Sequence, residues 1–185
     1  PGDGALMAQE KIMLSACLAG VRCVYDGAHK RRPFLAALHK KGGAVLFCPE
    51  VLGGLKIPHP PSEVKGGDGA AVLRGQARVI SKDGSDVTAF FLDGAEKALA
   101  LAIKKKIRKA VTKARSPSCG CGQIYNGTFT KTLIVGDGVT AALLKQNGIE
   151  VMNDETYSEG VRLKSLKVTR TQSHKGVQKS KASKA

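Results

Sequence analysis

The sequence predicts a single Rossmann-like α/β domain with a mostly parallel sheet and a disordered, basic C-terminal tail. Its 185 residues are enough for one globular domain with its own core. Short apolar runs alternate with amphipathic stretches, which is typical of parallel β-α-β units. Residues 161–185 carry eight Lys or Arg and no acidic residue, a composition that cannot bury enough apolar surface to fold. We therefore expect a leader at residues 1–10, the α/β domain at 11–157 and the tail at 158–185.

The first predicted unit is a strand, a helix and a second strand. Residues 11–16 form a short apolar run that suits a buried strand. A helix can begin at Pro33 and end before the paired glycines at 42–43. The apolar face of this helix comprises Phe34, Leu35 and Leu38. Residues 44–47 predict the second strand, so the two strands are expected to be parallel and joined by a right-handed crossover.

The middle of the chain predicts a long loop, a small hairpin and a long helix. Residues 49–69 hold four prolines and five glycines without regular periodicity, which indicates a functional or mobile loop. Two apolar runs, 71–73 and 77–80, flank Arg74-Gly75-Gln76 and predict a β-hairpin. Asp86 can then cap a helix. The apolar stripe of that helix comprises Val87, Phe90, Phe91, Ala95, Ala98, Leu99, Ala102 and Ile103.

The last part of the predicted domain returns to alternating strands and helices. Residues 107–112 predict a third core strand, and residues 131–135 predict another. A helix over 139–147 ends at a glycine, and residues 149–152 predict a final strand. The segment Gly136-Asp137-Gly138 could cradle a phosphate with backbone N–H groups, with an ordinary helix start as its alternative.

The sequence shows neither a membrane span nor a signal peptide. No run of about 18 apolar residues occurs, and no basic stretch is followed by an apolar segment near the N-terminus. We therefore expect a cytoplasmic protein. Because that compartment keeps thiols reduced, the five cysteines indicate metal or redox chemistry more than disulfides.

Three cysteines are predicted at the edge of the sheet where ligands bind. Cys17 follows the first strand, Cys48 follows the second, and Cys119 lies in the 116–120 loop after the third. Loops that leave the carboxyl ends of parallel strands converge on one crevice. Thiolates from separate loops bind zinc or an iron–sulfur cluster, and unligated cysteines are the remaining alternative. Ligand softness favours the cluster, although the spacing does not choose between them.

Several motifs occur in an order that is similar to one known family. They are SACLAG at 15–20 with YDG at 25–27, CPEVLGGL at 48–55 with Pro58, Pro60-Pro61 and Glu63, SPSCG at 116–120, IYNGTF at 124–129 and GVTAALL at 138–144. With these motifs, the chain resembles the thiouracil desulfidase family. The resemblance implies an oxygen-sensitive [4Fe-4S] cluster held by three cysteines. It also implies removal of sulfur from a thiolated pyrimidine. A free 4-thiouracil-like or 2-thiouracil-like base comes first, and a thiouridine nucleotide or 4-thiouridine in transfer RNA is the further alternative.

Carried over by position, the ligands are Cys17, Cys48 and Cys119, which leaves one iron open. An open iron is a Lewis acid for a thiocarbonyl sulfur, so water could replace the sulfur hydrolytically without net electron transfer. Glu50 is the candidate catalytic acid or base, with capping of loop amides as its alternative. Ser116 is the candidate catalytic hydrogen bonder to substrate or water, with a turn-forming role as its alternative.

The remaining cysteines and the histidines have no predicted role in the chemistry. Cys23 and Cys121 are not needed as ligands, and we expect them to pack or to be spectators. The four histidines show no spacing typical of a shared metal site, and we expect them at the surface. These histidines are His29, His39, His59 and His174.

Basic segments leave a second function open. Residues 104–115, Lys30-Arg31-Arg32 and the tail could make weak contact with RNA or another polyanion. The alternative to a desulfidase is therefore a basic RNA-binding module whose cysteines hold a structural zinc. Iron and acid-labile sulfide content separates the two.

Overall fold

The structure, a computed structural model, describes residues 10–158. The strands are β1 (Ile12–Ser15), β2 (Ala44–Phe47), β3 (Ser62–Lys65), β4 (Arg78–Ser81), β5 (Lys109–Thr112), β6 (Gln123–Tyr125), β7 (Leu133–Val135) and β8 (Glu150–Asn153). The helices are α1 (Ala16–Ala19), α2 (Pro33–Lys40), α3 (Pro49–Leu52), α4 (Gly69–Leu73), α5 (Thr88–Lys104) and α6 (Val139–Gln146). The chain divides after Asp154 into two units, and all of these elements lie in the first. Most of the predicted leader and tail lie outside the described residues.

Four parallel strands form the central sheet, in the order β2-β1-β5-β8. This confirms the predicted α/β class and the parallel pairing of the first two strands, which are in register from Ile12 beside Ala44 to Ser15 beside Phe47. From β1 the chain continues to β2 on one side of the sheet, whereas from β5 it continues to β8 on the other side. The connections therefore diverge between β1 and β5, and such a switch point is where open parallel sheets bind ligands.

Two antiparallel ribbons lie outside this sheet, β3 with β4 and β6 with β7. The predicted hairpin of 71–73 with 77–80 is wrong, because 71–73 belongs to helix α4. Asp68 Oδ1 accepts the N–H of Ala71 at 2.9 Å and so caps that helix. β4 pairs instead with β3, and β3 lies within the stretch 49–69 that the composition predicts as a loop. The predicted strand at 131–135 exists as β7, but it pairs with β6 rather than joining the central sheet.

The long predicted helix is α5, which packs with the sheet and α6 in the main core. That core joins Met13 of β1, Ala98 of α5 and Leu144 of α6. The buried residues of α5 are Phe91, Gly94, Ala95, Ala98 and Ala102. Phe90 and Ile103, which the prediction placed on the same face, are 42% and 66% exposed. The helix turns them outward because its buried stripe is narrower than the run of apolar residues.

The first turns of helices α5 and α2 also differ in detail from the prediction. Asp86 Oδ1 accepts the N–H of Thr88, the first residue of α5, at 3.0 Å, although Val87 occupies the cap position itself. Phe34, predicted on the buried face of α2, is 38% exposed, while Leu35 is fully buried. No helix among residues 10–158 is long and apolar enough to cross a membrane.

Helices α3 and α5 meet at a contact between two glycines. A Cβ atom at Gly94 would lie 2.0 Å from the carbonyl oxygen of Pro49, and one at Gly53 would lie 2.0 Å from a backbone carbonyl oxygen of α5. These distances are far below van der Waals contact, so only glycines allow the two backbones to approach this closely. Because α3 follows Cys48 directly and carries Glu50, this contact holds the segment that bears two candidate site residues.

We predict that Gly94→Ala lowers the free energy of unfolding by about 1–3 kcal/mol, the usual cost of forcing extra volume into a packed contact. Alanine normally stabilises a helix interior relative to glycine, so the sign itself reports the contact. Urea unfolding followed by circular dichroism gives the value. Glu96→Ala, at an exposed position of α5, is the control and should change stability by less than about 0.5 kcal/mol. A Gly94→Ala variant as stable as the wild type would contradict the close contact.

Candidate active site

A cavity of about 290 Å³ opens at the carboxyl ends of β1, β2 and β5. Its lining includes all five residues that the sequence predicts for the site. These residues are Cys17, Cys48, Glu50, Ser116 and Cys119. The volume is close to the lower end of the range for small-molecule pockets. The structure therefore brings the predicted site residues together at the switch point of the sheet, and it leaves their individual roles as predictions.

Cys48 and Cys17 share the cavity with a third thiol, that of Cys23. Cys48 lies between the end of β2 and the start of α3, and its Sγ donates to the carbonyl oxygen of Cys23 at 3.7 Å. The Cys17 thiol and burial raise the pKa of the Cys23 thiol to about 12, while the Cys48 thiol opposes this rise. The Cys23 thiol and burial raise the pKa of the Cys48 thiol as well. Cys23, expected to pack or to be a spectator, thus lines the same cavity as the predicted ligands.

Two serine hydroxyls fix backbone groups around Cys119. Ser116 Oγ accepts the backbone N–H groups of Ser118 at 3.2 Å and Cys119 at 3.0 Å, which is the turn-forming role that the sequence left open. Its hydroxyl hydrogen is used by neither bond, and Ser116 also lines the cavity. Ser15 Oγ accepts the N–H of Lys113 at 3.1 Å, and Ser15 lines the cavity together with Cys119. Full burial raises the pKa of the Cys119 thiol to about 12, while Ser15 favours the thiolate.

These raised pKa values describe thiols that hold their protons unless a positive charge enters the cavity. Metal coordination supplies such a charge and displaces the protons. Among residues 10–158, no three His, Cys, Asp or Glu side chains are grouped closely enough to hold a single metal ion. The thiols of Cys17, Cys48 and Cys119 instead lie around a cavity, on loops from three neighbouring strands. This sulfur donor set fits a soft group that is larger than one ion.

Glu50 and His59 form a contact inside the cavity. His59 Nε2 lies 3.2 Å from Glu50 Oε2, without the alignment of a hydrogen bond. His59 Nδ1 lies 2.9 Å from the carbonyl oxygen of Pro60. A carbonyl oxygen only accepts, so Nδ1 carries a proton, and Nε2 is the nitrogen that titrates beside the carboxylate. The expectation of a surface position is wrong for His59, whose side chain is 11% exposed.

Four basic residues also line the cavity, beside the buried carboxylate of Glu63. The basic residues are Lys82, Lys113, Arg115 and Lys131. The Nζ atom of Lys113 donates to the carbonyl oxygen of Ala114 at 3.2 Å. Their number exceeds that of the two lining carboxylates, so the cavity favours an anionic ligand. Lys113 and Arg115 belong to the basic segment 104–115, and composition does not show which members of such a segment turn inward.

Other residues singled out in the sequence lie outside the cavity lining. Cys121 Sγ donates to the carbonyl oxygen of Val151 at 3.2 Å. The predicted phosphate cradle at 136–138 is wrong, because the first N–H groups of α6 already donate to carbonyl oxygens of the 116–120 loop. Asp137 instead accepts from Gly122 and forms an ion pair with Lys145. His174 lies outside the described residues.

The residues that sequence reasoning missed are Ser15, Cys23, His59, Glu63 and Phe129. Four of them fall within or beside the motifs quoted above, so their position in a motif was visible while their role was not. His59 had a weaker signal, a place among the prolines that follow Glu50. Its role depends on the path of a loop that no periodicity describes.

Comparison with known proteins places the chain among desulfidases. Residues 12–156 match the family described as 2-thiouracil desulfurase. YbbK, an uncharacterized protein of Bacillus subtilis (strain 168), is 43% identical over 148 residues, which cover 80% of this chain and 98% of YbbK. A solved structure, that of the [4Fe-4S]-dependent thiouracil desulfidase TudS, superposes on this chain with a TM-score of 0.73 and 44% sequence identity. The match covers 85% of this chain and 99% of the TudS chain. These matches confirm the resemblance that the motifs indicate.

We predict that the pKa of His59 in the folded chain lies above its ordinary value of 6.5, because the Glu50 carboxylate favours the protonated ring. The pair then stabilises the fold below pH 6.5, and this contribution is lost as the pH rises through the folded-state pKa. Titration of the histidine ring signals by NMR measures the value, with His59→Asn to assign the signal. Glu50→Gln should lower the pKa of His59. An unchanged value in Glu50→Gln would show that the contact does not control the proton.

Proposed function

Because the chain belongs to the 2-thiouracil desulfurase family, we propose that it removes sulfur from a thiolated pyrimidine with the help of an iron–sulfur cluster. One observation carries the proposal. Three cysteines from the ends of three neighbouring parallel strands surround the same cavity as a carboxylate and a serine hydroxyl. An enzyme that replaces sulfur by oxygen needs such a combination: soft ligands for a metal centre and groups that handle protons.

The proposed cofactor is a [4Fe-4S] cluster held by Cys17, Cys48 and Cys119. The similarity to TudS, which is [4Fe-4S]-dependent, supports the cluster type. The placement of these thiols around a cavity supports a multi-atom group over a single zinc ion, the metal of the alternative RNA-binding function. Cys23 makes a fourth thiol at the cavity. We assign it to the surroundings of the cluster, because it follows no strand and its carbonyl oxygen accepts a hydrogen bond from the Cys48 thiol.

A bound cluster with one iron free of protein ligands supplies a Lewis acid for the sulfur of the substrate. The chain itself handles the water and the protons. Overall, water and the thiocarbonyl give a carbonyl and hydrogen sulfide, so no electrons are gained or lost. Glu50 accepts a proton from the attacking water, and His59 keeps the carboxylate oriented through the 3.2 Å contact. The hydroxyl hydrogen of Ser116, which the turn does not use, is donated to the ring or to the water.

The basic residues around the cavity extend the proposal to the substrate. Lys82, Lys113, Arg115 and Lys131 favour a pyrimidine that carries a negative group. A nucleoside monophosphate has such a group, whereas a free base does not. We therefore place a thiolated nucleotide ahead of the free base. Comparison of kcat/KM for the base, the nucleoside and its 5′-monophosphate tests this order, and a preference for the base would reverse it. The proposed contact between RNA and the basic tail stays a prediction, since the tail lies outside the described residues.

We predict that Cys119→Ala, prepared without oxygen, loses most of its iron and at least about 99% of its activity towards a thiolated pyrimidine, because a buried ligand of the cluster is gone. Iron and acid-labile sulfide analysis and the decrease in thiocarbonyl absorbance measure both quantities. Cys121→Ala is the matched control. Cys121 does not line the cavity, so this variant should keep its iron. Full activity in iron-free Cys119→Ala would contradict a role for the cluster. Stoichiometric zinc without iron in the wild type would favour the RNA-binding alternative.

We also predict that Glu50→Gln lowers kcat by about 100-fold or more while iron content stays near that of the wild type. The amide keeps the size of the side chain but cannot accept the proton of the water. Single-turnover rates in the loaded protein separate this loss from product release. A wild-type kcat in Glu50→Gln would show that Glu50 does not transfer protons and would favour its alternative role of capping backbone amides of the loop.

A further inference from the structure

The loop between β6 and β7 carries two residues in a rare backbone conformation. Phe129 and Lys131 have positive φ angles of 58° and 62°. Among residues 10–158, four non-glycine residues have positive φ angles, and three of them line the cavity: Arg115, Phe129 and Lys131. This conformation is unfavourable for residues with a side chain, and it persists only where the surroundings impose it. Its concentration around one cavity indicates that the side-chain positions there matter to function.

Glu63 on β3 is hydrogen-bonded to the loop at Phe129. Its carboxylate is buried, with 8% of the residue exposed, and Oε2 accepts the N–H groups of both Gly127 and Phe129 at 3.0 Å. A buried carboxylate is costly unless it is hydrogen-bonded, so these two bonds tie the loop firmly to β3. Gly127 allows the approach, because a Cβ atom there would lie 2.6 Å from the carbonyl oxygen of Val64.

The result of this arrangement is an aromatic side chain at the cavity. Phe129 is half-buried and lines the cavity together with Tyr125 and Lys131. A planar ring offers a face on which a planar heterocycle stacks, and stacking tolerates different substituents on the heterocycle. A stacking site requires a ring in a fixed position. The unfavourable backbone conformation of Phe129 places its ring at the cavity.

We propose that Phe129 is the platform on which the pyrimidine ring of the substrate stacks, and that Glu63 is the positioning residue that holds it there. This inference rests on the proposed function for the identity of the ring. It adds a specificity-determining residue that takes no part in proton transfer. Two further residues with positive φ angles, Lys131 in the same loop and Arg115, carry positive charge to the same cavity. The platform and these charges together suit a pyrimidine nucleotide.

The test compares Phe129→Leu with Phe129→Tyr in the cluster-loaded protein. Leucine keeps an apolar side chain of similar size but removes the ring, and tyrosine restores the ring. We expect Phe129→Leu to raise KM for the thiolated pyrimidine by about five-fold or more, the lower end of the range for loss of one stacked base, with kcat changed by less than about two-fold. Phe129→Tyr should behave as the wild type. Phe90→Leu, an exposed aromatic residue of α5 outside the cavity lining, is the control for a general effect of removing a ring.

Binding of the sulfur-free product gives a second readout that needs no turnover. Calorimetric titration with uracil and with uridine 5′-monophosphate should show the same loss of affinity in Phe129→Leu. Unchanged product affinity and unchanged KM in this variant would overturn the inference. Failure of the wild type to remove sulfur, with product binding that still depends on Phe129, would instead overturn the proposed reaction and keep the platform. Absence of both binding and turnover in the loaded wild type would overturn both.

The role of Glu63 is tested by coupling. The uncharged amide oxygen of Glu63→Gln accepts the N–H groups of Gly127 and Phe129 more weakly than the carboxylate oxygen does. We therefore expect this variant to raise KM as Phe129→Leu does, while iron content stays that of the wild type. If Glu63 acts through Phe129, the double variant should be no worse than the poorer single variant. Independent, multiplying effects on KM would show that Glu63 supports the fold in another way. They would leave Phe129 alone as the specificity residue.

Discussion

The divergence of chain connections between β1 and β5 is the constraint on which the other features of the site depend. β1 is hydrogen-bonded to β2 on one side and β5 on the other, and the chain leaves these two strands towards opposite edges of the sheet. Among the described elements, the connections from β1 and β5 therefore lead away from each other, and a crevice lies at the carboxyl ends of these strands. Cys17 and Cys119 follow these two strands, and Cys48 follows the neighbouring strand. Three thiols thus reach one cavity without any of them being close in the sequence, which no turn or helix could arrange.

The α/β core could be predicted from the sequence because its physical signals are local. Apolar runs of strand length and the stripe of α5 specify burial directly, and the cysteines could be placed by counting residues from the strand ends. The two ribbons could not be found in this way. β3 lies within a stretch rich in proline and glycine, and its partner β4 was assigned to the wrong neighbour because 71–73 is as apolar as a strand. Only the cap made by Asp68 distinguishes that segment as a helix.

The site residues that could be predicted from the sequence are those whose positions follow from the predicted strands or from the motifs. The five named residues follow strands or lie in motifs, and the structure brings them to one cavity. His59, Glu63 and Phe129 depend instead on long-range contacts between loops, with Glu63 separated from the amide of Phe129 by 66 positions in the chain. Hydrogen bonds over such separations leave no periodic trace. The motifs therefore marked these residues as part of a pattern, and only coordinates could show what the pattern holds in place.

The residues that line the cavity come from two parts of the chain, which are held in place by different interactions. The thiols and Glu50 sit on short segments that continue the sheet and are fixed by core contacts such as the glycine pair of α3 and α5. Phe129 and Lys131 lie in the loop of a ribbon outside the sheet, and one buried carboxylate accepts the N–H groups of Gly127 and Phe129 in this loop. Changes in that ribbon can alter which ring or charge is recognised without moving the residues that follow the central strands. In the function proposed above, the groups that carry the reaction thus follow the central strands, whereas the platform proposed for the substrate ring lies in the loop that Glu63 holds.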